Sequence, residues 1–172
     1  MLRLALDQNF PVGLVQALKG YLPPDIELES IGRIDPRLSD MDDRPLLIAL
    51  SQMGWAGIAT NNYKMLNVAT ELAAIMATEC VFVALRDMGE DPLRATGALL
   101  LELTGLPRRL ASQKHHIFDI CYAHRRGEDP WTYMEKIAVH QGTTAKALYQ
   151  KVRVSSAELK TPVLSGARAT SS

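Results

Sequence analysis

Cysteine is scarce in this chain of 172 residues: Cys80 and Cys121 stand alone, each among apolar neighbours and without Cys-x-x-Cys spacing. That pattern argues against a zinc site or a disulfide framework and suits a reducing compartment, the cytoplasm. No apolar run approaches membrane-spanning length, so no membrane partner is expected. The opening Met1-Leu2-Arg3-Leu4-Ala5-Leu6 is too short an apolar stretch before Asp7 to serve as a signal peptide. No glycine-rich phosphate cradle follows the first strand-like run, which weighs against a nucleotide-binding α/β protein, and no internal repeat is present.

Net charge is absent too, but only in sum, since 19 basic residues balance 19 acidic ones. Residues 1–107 carry 14 acidic and 8 basic side chains, whereas residues 108–172 carry 5 and 11. Such a split suggests an acidic, site-bearing body followed by a basic segment able to meet a polyanion. The plain alternative is a solvated helical face whose lysines and arginines do nothing specific. With 47% hydrophobic and 22% charged residues, the chain has the makings of one ordinary core.

Hydrophobic period sets the coarse organisation. Leu2 to Leu6 reads as a buried strand; Asn9 can cap a helix with Pro11 in its first turn and Val12, Leu14, Val15, Leu18 and Tyr21 as its apolar stripe. Ile26 to Glu29 alternates as a second strand, and Gly32 to Asp42 reads as a loop. Asp42 or Asp43 then caps a helix bearing Leu46, Leu47, Leu50 and Met53, stopped at Gly54. Trp55–Thr60 is a third strand, Asn67–Thr78 a helix, Cys80–Leu85 a fourth strand, and Asp91-Pro92 starts a helix to about Leu103.

This alternation predicts an α/β fold of three layers, a central parallel sheet covered by helices on both faces. Beyond Pro107 the pattern reads as helices only, roughly Arg108–Arg126 and Pro130–Val152, with a loose end from Ser155. The expected organisation is an α/β domain at 1–107, a basic helical extension at 108–154 and a flexible tail at 155–172.

Three acid-and-amide clusters interrupt the apolar runs: Leu6-Asp7-Gln8-Asn9, Ser39-Asp40-Met41-Asp42-Asp43 and Thr60-Asn61-Asn62-Tyr63-Lys64-Met65. Right-handed crossovers put every strand-to-helix turn at one sheet edge, so Asp7, Asn61 and Asn62 should gather there. Asp43 joins them if the loop from Gly32 carries its helix start over that edge. Carboxylates crowded together raise one another's pKa unless a cation separates them. Oxygen ligands of this kind suit Mg²⁺ or Mn²⁺, which can activate water against a phosphodiester.

At these residues the chain resembles the PIN-like ribonucleases, the group that includes the VapC toxins of toxin–antitoxin systems, and within it a short bacterial subgroup. The likeness rests on Leu6-Asp7-Gln8-Asn9-Phe10-Pro11, on Asp43 three residues ahead of Leu46-Leu47, on Gly54 to Leu66, on Glu71-Leu72-Ala73-Ala74, and on Asp91-Pro92-Leu93-Arg94-Ala95-Thr96-Gly97. It covers about the first hundred residues. The resemblance implies a PIN-like α/β/α fold, RNA cleavage dependent on a divalent metal, and control by a cognate antitoxin. Asp7 and Asp43 would hold the metal, Asn62 would complete or weaken its shell, and Asp91 or Glu71 would act from the rim.

Asn62 stands where the family pattern has Asp, which keeps an oxygen ligand but removes a charge. The helix-borne acid of longer relatives has no clear counterpart, and Glu71 and Asp91 are the candidates for its place. This departure motivates a second expectation, a degenerate PIN-like module that binds RNA or protein without cutting. The bland readings are turns and caps for Asp40, Asp42, Asn61 and Asn62, a surface charge for Glu71 and a cap for Asp91.

Arg108, Arg109, Lys114, Arg125 and Arg126 form the candidate RNA-binding cluster, with Tyr122 or Trp131 as stacking faces. Those two aromatics fit a helical core stripe with Ile117, Phe118 and Met134 equally well. His115 and His116, being adjacent, point to different helical faces and so do not share a metal. The helical end can pack on the body, on a second copy as a homodimer, or form the antitoxin groove.

Overall fold

The computed structural model describes residues 1–8, 10, 13, 16–17, 19–88, 91–112, 117–121 and 125–164, with backbone alone at 112 and 125–128. Its strands are β1 (Leu2–Leu6), β2 (Ile26–Ser30), β3 (Gly57–Thr60), β4 (Val81–Leu85), β5 (Ile117–Ile120) and β6 (Arg125–Glu128). They form one sheet in the order β2-β1-β3-β4-β5-β6. The first five run parallel, and β6 is antiparallel to β5 at the edge. Described helices are α1 (Ile31–Ile34), α2 (Asp43–Gln52), α3 (Ala69–Ala77), α4 (Pro92–Leu103), α5 (Leu106–Ser112), α6 (Pro130–His140), α7 (Ala145–Val152) and α8 (Ser156–Lys160).

Strand alternation divides the core into the two layers that a covered parallel sheet requires. Ala5, Ile58, Phe82, Ala84 and Ile117 face α2, α3, α6 and α7, where Leu47, Ile48, Leu72, Ile75 and Met134 are buried. Leu4, Leu6, Ala59, Val83, Leu85, Phe118 and Ile120 face the other way, under Ala95, Leu99 and Leu103 of α4 and Leu106. The fold is therefore the expected three-layer α/β/α arrangement with C-terminal helices. Each leucine sealed in these layers contributes roughly 2 kcal/mol relative to an exposed one.

Several expected elements are shaped differently. The stretch after Pro107 is not all helix: α5 ends at Ser112, and Ile117–Ile120 pairs in parallel with β4 instead. Its run Ile-Phe-Asp-Ile is a short apolar strand interrupted by one acid, which periodicity alone does not separate from a buried helix turn. The expected helix from Pro130 to Val152 breaks at Gly142, whose φ of +64° ends α6, before Thr144 caps α7 by accepting from the Ala147 amide.

Gly32–Asp42 is no plain loop but α1 followed by a 3-10 turn over Pro36–Asp40, with Ile31 and Leu38 buried. Ser155, expected to open a loose tail, caps α8, and Val154 and Leu164 are buried. Tyr21, expected on an apolar stripe, is 84% exposed. The rest of that stripe and its cap, Asn9, Pro11, Val12, Leu14, Val15 and Leu18, lie outside the described residues, as do His115, His116, Tyr122 and the tail beyond 164.

One glycine is required by contact. A Cβ on Gly57 would stand 1.9 Å from the Val81 carbonyl oxygen, because β4 presses on the start of β3. Gly57→Ala should therefore lower the unfolding free energy by about 3 kcal/mol in a urea titration. A loss below about 0.5 kcal/mol, the range of neutral surface changes, would show that the strands part freely.

Candidate functional site

The chain leaves β1 for β2 on one side and later crosses to β3 on the other, so the carboxyl ends of β1 and β3 flank the point where the strand order reverses. In doubly wound sheets that is where ligands bind. Register fixes what meets there. Leu6 pairs with Ala59, so the next residues, Asp7 and Thr60, come opposite each other. The Thr60 hydroxyl donates to Asp7 Oδ2 at 2.6 Å and accepts from the Asn62 amide at 2.8 Å. Asp7 Oδ1 accepts from the Gln8 amide at 2.7 Å. Asp7 is thus held by two donors, and Thr60, fully buried, is a site residue that reading the clusters missed.

The second cluster arrives as required. α1 and the 3-10 turn carry the start of α2 over this edge, and Asn62 Nδ2 donates to Asp43 Oδ2 at 3.3 Å. Asp42 occupies the N-cap position, its carbonyl accepting from the Leu46 amide but its side chain capping nothing, and Asp43 is the first helical residue. Burial, then the charges of Asp7 and Asp42, pushes the Asp43 carboxyl above the usual range. Glu71, in the first turn of α3, completes the group: burial and the Asp43 charge push its carboxyl up to about 7. Its Oε2 is buried without a hydrogen-bond partner, as is Asn61 Oδ1.

Arg44 holds the two helix starts in place. Its Nη1 donates to the Thr70 carbonyl of α3 at 2.8 Å and to the Val152 carbonyl at 3.2 Å. Its Nε and Nη2 grip Glu158 Oε1 and Oε2 at 3.1 and 3.0 Å. Asp43 and Glu71 are the immediate neighbours of Arg44 and Thr70, so this clamp sets their approach. Nothing local in the sequence marks it, because Arg44 and Glu158 lie 114 residues apart.

Asp91 is engaged otherwise. It caps α4 by accepting from the Arg94 amide at 2.9 Å, and its carboxylate pairs with the Arg94 side chain at 3.6 Å. Asp40 lies exposed in the 3-10 turn. A cavity of about 530 Å³ opens beside α4, lined by Met88, Arg94, Gly97, Leu101, Glu102 and Ile120, and none of the clustered acids borders it.

The basic residues do not share one helix. Arg108 is exposed on α5, while Arg109 pairs with the buried Glu102 and lies 5.5 Å over the Phe118 ring. Arg125 and Arg126 belong to the outer strand β6, with side chains outside the described residues, as is Lys114. Trp131, 38% exposed, meets Tyr149 edge to face at 5.1 Å.

The donors here are carboxylate and amide oxygens, the kind a hard divalent cation takes, and an orphaned Glu71 oxygen beside repelling acids is what such an ion would relieve. In the geometry shown, no three acidic, histidine or cysteine side chains among the described residues are arranged to hold one. No helix among the described residues is long and apolar enough to cross a membrane. Comparison with family models, curated proteins and solved structures returns no match to the chain.

Glu71 gives the site a definite pH signature. With a carboxyl near 7 when folded and near 4.5 when unfolded, the folded chain binds the extra proton in that window, so stability falls as pH rises from 4.5 to 7. Glu71→Gln should flatten this dependence in urea titrations run at several pH values in EDTA. An unaltered dependence would mean that Glu71 is not the group titrating.

Proposed function

We propose that the chain is a divalent-metal-dependent endoribonuclease of the PIN-like kind, acting in the cytoplasm as the toxin of a toxin–antitoxin pair. The observation that carries this reading is the electrostatic chain of Asp7, Asp43 and Glu71 at the reversal point of the sheet, ending in a buried carboxylate oxygen with no partner. Asp7, Asp43 and the Asn62 side-chain oxygen would hold Mg²⁺ or Mn²⁺, with Glu71 beside them. When bound, such an ion supplies Lewis acidity and lowers the pKa of water for attack on a phosphodiester.

The chain's own groups divide the remaining work. Thr60 and the Gln8 amide fix the Asp7 carboxylate, which lowers the cost of orienting it at the moment of reaction. Glu71, with a carboxyl near 7, is able to take or release a proton at neutral pH. Arg108, exposed on α5, would supply charge for the RNA backbone. A cognate antitoxin and a second copy of the chain are the protein partners this reading expects.

One observation favours the binding-only alternative. Asn62 turns its amide nitrogen to Asp43 at 3.3 Å, so it already meets part of the charge that a cation would neutralise. The two readings separate in one experiment. With Mn²⁺ present, the native chain should cleave single-stranded RNA, Asp7→Asn should abolish cleavage and relieve growth arrest on expression, and Asn62→Asp should cut faster. Cleavage indifferent to Asp7→Asn would sink the nuclease reading. A silent native chain revived by Asn62→Asp would establish the module that binds without cutting.

A further inference from the structure

Beside the acids, on the next strand, lies a cation that the cluster does not use. Thr60 pairs with Ala84, so Arg86 leaves β4 two residues beyond that pair just as Asn62 leaves β3. Neighbouring strands stand roughly 5 Å apart, which puts Arg86 at the margin of the site. Its amide still bonds the Ile120 carbonyl at 2.9 Å, continuing the sheet ladder. Its guanidinium lies over the ring of Tyr63, the residue after Asn62, at 4.6 Å. Asp119 of β5 grips one edge of the fork, Nε at 3.2 Å and Nη2 at 2.5 Å.

That arrangement leaves part of the fork unused. An arginine carries five N–H donors in a fixed plane, and Asp119 takes two of its nitrogens. Nη1 makes no hydrogen bond among the described residues, and the side chain is 35% exposed while Asp119 is 16% exposed. The pair therefore presents an oriented, partly open cation beside a group of carboxylates. Lys64, next to Tyr63, is exposed at the same rim. An acidic pocket repels a polyanion, so a backbone phosphate entering it needs a positive group at the threshold, and planar guanidinium suits phosphate oxygens.

We propose that Arg86, laid on Tyr63 and held by Asp119, is a phosphate-binding subsite that seats the backbone of a single-stranded nucleic acid beside the acid cluster. This deepens the reading of the site as RNA-cleaving and rests on it for the ligand. Tyr63 and Asp119 position the fork; Arg86 touches the ligand.

The test is fluorescence anisotropy of a short single-stranded RNA in EDTA, at several salt concentrations, on the full chain and its variants. Arg86→Gln leaves Asp119 uncompensated, so the double variant Arg86→Gln/Asp119→Asn is measured beside it, with thermal unfolding of each. Both variants should bind about tenfold more weakly, and the slope of log affinity on log salt should fall by about 0.7, one phosphate contact on a single strand. Arg86→Lys, which keeps the charge, should keep the slope. A folded double variant with native affinity and slope overturns the subsite and leaves Arg86 as a pin between β4 and β5. A native chain that binds no RNA overturns the subsite and the RNA reading together. Weakened binding in the Arg86 variants, beside cleavage indifferent to Asp7→Asn, upholds the subsite and removes only the nuclease.

Discussion

The guanidinium of Arg44 joins two helix starts that their own carboxylates push apart. Burial lifts both carboxyls above their ordinary range, and nearby charge adds to it, from Asp7 and Asp42 at Asp43 on α2 and from Asp43 at Glu71 on α3. Hydrogen bonds to charged groups contribute roughly 1.5–3 kcal/mol each, and Arg44 makes four, to Thr70, Val152 and twice to Glu158. The site is thus an acidic group whose two helix starts are tied together from behind by one cation.

The same clamp makes the C-terminal segment part of the site's support. Glu158 of α8 neutralises Arg44, and at the far end of α2 Gln52 bonds the carbonyls of Leu159 and Thr161 and the amide of Val163. Residues 153–164 therefore lie along α2, fastened at both ends and sealed by Val154 and Leu164. The basic half of the chain reaches the acidic half through particular bonds as well as through overall charge. Arg86 and Asp119 repeat the pattern on the other side of the site, where a residue of β5 orients a cation at the end of β4.

How much of this was legible follows from the range of each interaction. β1, the cap and length of α4, and the start of α2 can be read from local pattern, because strand alternation, Asp-Pro capping and helix period act within a few residues. The gathering of Asp7, Asp43 and Asn62 follows from topology, since a parallel sheet brings its turns to one edge. The parts that escaped are those decided at long range. β5 joins the sheet because β4 offers it a partner, Arg109 serves Glu102 rather than solvent, and Asp91 spends its carboxylate on Arg94. Glu71, which reads as a surface charge, becomes the most perturbed acid of the group because α3 starts beside Asp43.

By itself the sequence determined the layer architecture and the edge at which its acids gather, for hydrophobic period and turn chemistry act locally and tolerate little alternative. Only the tertiary structure decided which acid stands beside which, which amide atom of Asn62 faces Asp43, and which cations are bound to partners. Those are matters of a few ångströms set by residues up to 114 positions apart, and electrostatic energy at such distances depends on burial and approach that no local pattern encodes.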